Sequence, residues 1–287
     1  FITNHSLLFA NIASGSSILP AYDHLIIDEA HHLEEQATNS FGYEIKLSNL
    51  NEIFEELNNS NGIILTNLKL LKGFIDSQDT MSVITSIESE LKTVSARGKD
   101  TLKTLHYLLR NVINSPNHFP QVQEKAVDNL RTSPDWEQLE LTTENLHIHL
   151  QQLIRFGNKV ISISEPYFDH VLIRNMRLDI DGWRDEITYL NEKLYESIFE
   201  PQNNAVYWIQ YLQSGNSVAI KMAPLDVSST VKDHFFYDDS SVIMTSATLR
   251  TSGNFDYIQK RLGGEEIQSE VIESPFDYLH STVCIEV

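Results

Sequence analysis

The hydrophobic positions of this chain fall into three successive patterns. From Phe1 to Leu47 the sequence is mixed, and its clearest element is the apolar run Leu25-Ile26-Ile27 within Asp23–His32. That run is too short for a helix and predicts a buried strand. Leu19-Pro20-Ala21-Tyr22 ahead of it reads as a loop, because Pro20 fixes its own φ and restricts Leu19. From Ser48 to Glu200 apolar residues recur three and four apart, in VITSIESELKTV (83–94), LKTLHYLLRNVI (102–113) and ENLHIHLQQLIRF (144–156). This spacing gives each helix one buried stripe. Asn61-Gly62, Arg97-Gly98, Ser115-Pro116-Asn117 and Ser133-Pro134-Asp135 are expected to punctuate the helices. No fixed-period repeat is present, which argues against a solenoid. From Pro201 the pattern is strand-like again. Ala205–Gln210 and Val218–Met222 predict a hairpin around Ser214-Gly215-Asn216, and Ser241–Leu249 predicts a strand entering a small-polar loop. A short helix is expected from Phe255 to Leu262, between Gly253 and Gly263-Gly264. Two α/β ends around a helical middle suggest an insertion within one discontinuous domain.

Composition narrows the possibilities without choosing among them. The 287 residues, 41% of them hydrophobic, suffice for one large or two ordinary domains. Forty Asp and Glu against 21 Lys and Arg give a formal net charge of −19. That excludes a uniformly basic nucleic-acid-binding surface but leaves room for a local basic groove. Cys284 is the single cysteine, so there is no intrachain disulfide and no cluster held by several thiolates of this chain, and the expected setting is reducing and intracellular. No apolar run approaches the roughly 20 residues that cross a bilayer, and FITNHSLLFANIASG lacks the basic segment and apolar core of a secretory signal. The absence of an initiating Met is compatible with an internal fragment.

The densest chemistry follows the first strand. Asp28-Glu29-Ala30-His31 sets two adjacent carboxylates at a strand end, where open α/β sheets commonly bind ligands. In nucleotide hydrolysis one acid can hold Mg²⁺ directly or through water while the other orients or deprotonates the attacking water. An isolated Asp-Glu pair is ordinarily a solvated surface pair. Ser246 and Thr248 on their own would be read as caps of local backbone groups. His31 and His32 have no zinc-type spacing around them, and His5 reads as a residue of local hydrogen bonding or packing. Trp136, Trp183 and Trp208 read as core or interface anchors, and no DNA-binding residue is nominated.

Five blocks in fixed order carry a resemblance. They are Thr3-Asn4-His5-Ser6-Leu7-Leu8, LPAYDHLIIDEAHHLEE over Leu19–Glu35, APLDV over Ala223–Val227, MTSATL over Met244–Leu249, and Ser274-Pro275-Phe276-Asp277. Together they resemble the DinG and XPD-like branch of superfamily 2 helicases. The resemblance implies an α/β fold, a discontinuous RecA-like P-loop NTPase motor domain interrupted by a mainly helical arch-like domain. On that pattern 1–47 and 201–254 are the two parts of the motor domain, 48–200 is the insertion, and 255–287 begins or leads to a second motor domain. The resemblance implies ATP and Mg²⁺ as cofactors, with Asp28 the nucleotide-site acid associated with Mg²⁺ through water and Glu29 the catalytic acid that activates water. His31 would couple the nucleotide site to domain movement together with Ser246, Ala247 and Thr248. Single-stranded or forked DNA would be the partner, without a membrane, in a bacterial cytoplasm and at the nucleoid when bound to DNA.

The chain also departs from a complete helicase. It contains no G-x-x-x-x-G-K-[ST] sequence and no later arginine-rich helicase block, so by itself it is not expected to run an ATPase cycle. Some relatives carry an iron-sulfur cluster on four cysteines, which this sequence does not ligate. The wording NHSLLFANI followed by LPAYDHLIIDEAHH looks especially like Gram-positive DinG-like proteins, some of which carry a 3'-5' exonuclease. The alternatives to a helicase are therefore an exonuclease regulated by a nucleotide-binding helicase domain, and a non-enzymatic interaction module favoured by negative charge and long amphipathic helices.

Overall fold

The computed structural model describes residues 1–15, 18–112, 121–125, 131, 134–212, 217–236, 241–273 and 275. The chain is mixed α/β and divides into two compact units, one of residues 1–40 with 226–287 and one of 41–225. The second takes in 41–47 and 201–225, stretches that the sequence pattern grouped with the flanking ends, because their strands pair with one another.

In the first unit, α1 (His5–Ala13) starts at Asn4, whose side-chain oxygen accepts from the Leu7 N–H at 2.9 Å. Such a cap satisfies one of the helix's orphan donors. Leu8, Phe9 and Ile12 are buried, and Phe9 meets Phe235 edge-on with ring centroids 5.8 Å apart. Asn11 is also buried, and its side-chain oxygen accepts from the backbone of Ile18 at 2.9 Å and Leu19 at 2.8 Å. Those two bonds fix the loop that precedes Pro20.

The predicted first strand is β1 (His24–Ile27), and it pairs in parallel with a strand at Ser241–Met244. It is not the buried strand that its apolar run suggested, because only Ile27 is in the core and Ile26 is 71% exposed. The chain leaves this two-stranded sheet at Ile27 and returns to it only at Ser241, after the whole second unit. A parallel pair requires such a crossover. A 3₁₀ turn at Ala30–His32 leads into α2 (Leu33–Phe41). The predicted helix near the end of the chain spans Asp256–Leu262 and closes on Gly263 at φ 70°. Glycine is required there twice over, since a Cβ would also lie 2.4 Å from the Ser228 carbonyl oxygen. Arg261 of this helix forms an ion pair with Glu34 of α2 through its Nε at 2.7 Å.

The second unit is an antiparallel sheet packed on long helices. Its strands are β2 (Tyr43–Lys46), β3 (Gln121–Lys125), β4 (Ala205–Leu212) and β5 (Ser217–Pro224), in the order β2-β5-β4-β3. The expected β4–β5 hairpin is present as an antiparallel pair, and its turn, Ser214-Gly215-Asn216, lies outside the described residues. Neither β2 nor β3 was predicted, although Tyr43 and Ile45 are buried and alternate with the exposed Glu44 and Lys46. The helices are α3 (Leu47–Glu56), α4 (Ile63–Lys72), α5 (Gln78–Val112), α6 (Pro134–Ser164) and α7 (Val171–Phe199). Asn61-Gly62 separates α3 from α4 and Pro134 opens α6, as expected. Ser115-Pro116-Asn117 and Ser133 lie outside the described residues.

Arg97-Gly98 does not break a helix, and α5 runs through it. Gly98 serves close packing, because a Cβ at this position would fall 2.2 Å from Cε1 of the fully buried Phe54. Ser95, one turn earlier, donates to the Phe54 carbonyl at 2.6 Å. Trp136 and Trp183 are buried in the core of this unit and Trp208 is half-buried on β4.

Candidate functional site

The parallel pairing of β1 with the strand we number β6 (Ser241–Met244) assembles the site. Its register sets Ile27 opposite Met244, so Asp28-Glu29 and Thr245-Ser246 emerge from the same carboxyl end of neighbouring strands. Backbone bonds continue past the strands, from Thr245 N to Ile27 O at 2.8 Å and from Ala30 N to Thr245 O at 2.9 Å. Glu29 takes the left-handed conformation, φ 50° and ψ 42°, which turns the chain from the strand into the 3₁₀ turn. For a residue with a Cβ this conformation costs on the order of 1–3 kcal/mol and tends to occur at functional sites.

Asp28 is anchored on one side. Its Oδ1 accepts from the Thr245 hydroxyl at 2.7 Å and from the Glu29 N–H at 2.9 Å. The Thr245 hydroxyl, and after it the Glu29 amide, holds the carboxyl below its ordinary range, so it is ionised near neutrality. His5 Nε2 donates to the Asp28 carbonyl at 2.9 Å. His5 thus makes the hydrogen bond expected of it, but to the backbone of the site. His31 Nδ1 lies 2.7 Å from Ser246 Oγ and 3.2 Å from Glu29 Oε2. The Ser246 oxygen also accepts from the Thr248 N–H at 3.2 Å.

Asp28, Glu29, His31 and Ser246 therefore come together. Thr248 joins them through its backbone N–H. Thr245 is the residue that the sequence reading missed, and the available signal was its place directly between Met244 and Ser246 in MTSATL. The loop also borders a groove of about 540 Å³ with Phe255 and Ile267, but neither Asp28 nor Glu29 lies in that wall. Among the described residues no three His, Cys, Asp or Glu side chains converge as a metal cage. An ionised carboxylate fixed through one oxygen suits the water shell of Mg²⁺, which commonly takes one or two protein carboxylates and keeps several waters. Of the block Ser274-Pro275-Phe276-Asp277 only Pro275 is described, and Cys284 is outside the described residues. Among the described residues no helix is long and apolar enough to cross a membrane.

The chain is mixed α/β, and its acidic pair lies at the carboxyl end of a parallel strand, where open α/β sheets commonly bind ligands. Comparison with known proteins goes further. No family model matches the chain. It is 27% identical to the 3'-5' exonuclease DinG of Bacillus subtilis over 96% of this chain and 30% of that protein. It is 25% identical to the ATP-dependent DNA helicase YoaA of Haemophilus influenzae over 99% of this chain and 38% of that protein. It is 24% identical to the ATP-dependent DNA helicase DinG of Photobacterium profundum, over 96% of this chain and 40% of that protein. These several relatives, matched over most of the chain, support its placement in a DinG-like helicase family. The chain spans about a third of the length of the curated relatives it matches.

Proposed function

We propose that this chain is the part of an ATP-dependent DNA helicase that carries the water-activating acid and the coupling loop. In this reading the unit of 1–40 with 226 onward belongs to a RecA-like motor domain, 41–225 is its arch-like insertion, and the chain leads on to a second motor domain. The observation that carries the reading is the in-register parallel pairing of β1 with β6, with Asp28 bonded to Thr245 and His31 to Ser246. The names of the relatives support it.

Asp28, held by Thr245 and the Glu29 amide, would face the water shell of an ATP-bound Mg²⁺. The metal would neutralise phosphate charge. Glu29, whose side chain is 59% exposed, accepts a proton from the attacking water at its carboxylate. His31 touches both Glu29 and Ser246, so a shift of the Ser246 loop repositions the acid that handles the water. This gives movement on single-stranded DNA a physical link to hydrolysis. A phosphate-cradling Gly-Lys loop is absent from these 287 residues, so the rest of the nucleotide site lies elsewhere in the full-length protein.

The test is ATP hydrolysis by the full-length protein with and without single-stranded DNA. Wild type should be stimulated by DNA, and Glu29→Gln should bind ATP normally while turnover falls roughly 10²-fold or more. DNA-independent turnover in wild type, or near-normal turnover in the variant, would overturn the assignment. The name of the Bacillus subtilis relative favours a second reading, a 3'-5' exonuclease regulated by a nucleotide-binding helicase domain. Strand displacement scored against nucleotide release on the same substrate separates the two.

A further inference from the structure

The cations of this acidic chain are unevenly distributed. Residues 1–40 contain no Lys or Arg, and residues 226–287 contain only Lys232, Arg250, Lys260 and Arg261. Arg261 is already paired with Glu34. Within this chain, lysine and arginine contacts with a polyanion would therefore draw mainly on the unit of 41–225. Within that unit one helix sets three lysines and an arginine on one side, with a histidine among them. Lys92, Lys99, Lys103, His106 and Arg110 follow one another at steps of seven, four, three and four along α5. At 100° per residue they fall within a sector of about 60°, and at 1.5 Å per residue they extend over about 27 Å.

No carboxylate shares that sector between Lys92 and Arg110. Glu88 lies on the same line one turn earlier, where it is paired with Lys72 at 2.6 Å. Asp100 sits to one side and meets Lys103 at 3.3 Å, with both side chains 78% exposed, a pair that water and salt screen. A shallow groove of about 360 Å³ follows Lys99, Lys103 and His106, and Ser48, Asn51 and Ser217 line it without any carboxylate. Glu55, the acid on that flank of α3, accepts from the Asn51 side chain at 2.8 Å. Arg110 ends the stripe above the Tyr211 ring, 5.4 Å from its centroid. Tyr107 stands at the margin of the stripe, one turn from Lys103, and is 62% exposed. A large aromatic so exposed beside a row of cations has the composition of a single-strand binding surface, in which cations follow phosphates and an aromatic face stacks on a base.

We propose that the Lys92–Arg110 face of α5 binds the phosphate backbone of single-stranded DNA, with Tyr107 as a stacking surface for one base. The proposal rests on the helicase reading above and adds to it a DNA-binding site in the inserted unit. Its chemistry separates into two measurable parts. Lysines that neutralise phosphates release counterions, so each contributes about 0.7 to the slope of log affinity against log salt on a single strand. A stacked tyrosine contributes affinity that depends little on salt.

The experiment measures binding of fluorescent oligo(dT) to the full-length protein by anisotropy across a range of salt. The triple variant Lys92→Gln, Lys99→Gln, Lys103→Gln should flatten the salt slope by about two and weaken binding at low salt at least roughly tenfold. Replacing the same three by Arg should restore the wild-type slope. Tyr107→Leu should weaken binding roughly tenfold at an unchanged slope. A control triple, Lys69→Gln, Arg155→Gln, Lys159→Gln, should leave both slope and affinity at wild-type values. If wild type binds oligo(dT) and hydrolyses ATP while the α5 triple keeps the wild-type slope and affinity, the site is refuted and the helicase reading stands. If wild type neither binds oligo(dT) nor responds to it in turnover, the helicase reading itself fails. Should the Gln triple melt early, the Arg triple and Tyr107→Leu carry the decision. Loss of slope in the Arg triple, or an unchanged affinity in Tyr107→Leu, counts against the site.

Discussion

The two compact units use their residues differently. In 41–225 the long helices enclose a continuous apolar core in which Phe54, Leu68, Leu105, Leu150 and Ile187 are fully buried. In the unit of 1–40 with 226 onward, the candidate site sits at the open ends of two four-residue strands, where Glu29 and His31 are partly exposed. The first arrangement derives its stability from close packing, and the second positions charge through a few hydrogen bonds between distant residues. Substitutions in the two regions should consequently separate activity from stability, which makes the contrast open to experiment.

The largest effect is expected at Glu29. Glu29→Gly in the full-length protein removes the carboxylate and relieves the left-handed backbone, so turnover should fall roughly 10²-fold or more while stability rises by about 1 kcal/mol. Chemical denaturation together with ATPase checks both parts, and a destabilised variant would argue against stored strain. Gly98→Ala tests the other region. Alanine favours a helix over glycine by about 1 kcal/mol, yet a Cβ 2.2 Å from the Phe54 ring overpacks the core. A net loss of about 1–2 kcal/mol is expected, with activity per folded molecule unchanged. A gain in stability would show that the ring moves aside freely.

The coupling loop should respond unequally. Ser246→Ala removes the contact with His31 and should lower DNA-stimulated turnover roughly tenfold more than basal turnover. Thr248→Ala keeps the N–H that reaches Ser246 and should change the ratio little. Equal fractional losses in basal and stimulated rates would make Ser246 purely structural. The smallest effect concerns pH. Because the Asp28 carboxyl is held below its ordinary range, chiefly by the Thr245 hydroxyl, its contribution to stability is complete above that range and is lost as pH falls through its own lower value. Thr245→Val should move that loss to higher pH. Carboxyl NMR titration of Asp28 reads the shift directly, and an unmoved titration would remove Thr245 from the account.

Much of the local architecture was legible from spacing. Leu25-Ile26-Ile27 gave β1, three-and-four spacing gave stretches of α5 and α6, and Ala205–Gln210 with Val218–Met222 gave the paired strands β4 and β5. Asn61-Gly62 marked a real boundary while Arg97-Gly98 did not, because glycine serves a turn and a close contact equally well and only the position of Phe54 distinguishes them. β3 escaped notice because Gln121–Lys125 contains one apolar residue, Val122, and its pairing with β4 supplies what periodicity does not.

For the candidate site, the sequence by itself determined the chemical types, their order and their attachment to strand ends. Asp28-Glu29-Ala30-His31 follows an apolar run, and Ser246-Ala247-Thr248 follows another. Tertiary structure decided which of these groups meet. Asp28 and Thr245 are 217 positions apart and become neighbours only because β1 and β6 pair in parallel and in register. A one-residue slip in that register would reverse the faces of the side chains and displace these contacts. The same limit holds for His5 at the Asp28 carbonyl and Arg261 at Glu34. Local pattern records which face of an element is apolar, whereas a hydrogen bond between distant segments depends on the path of all the chain between them.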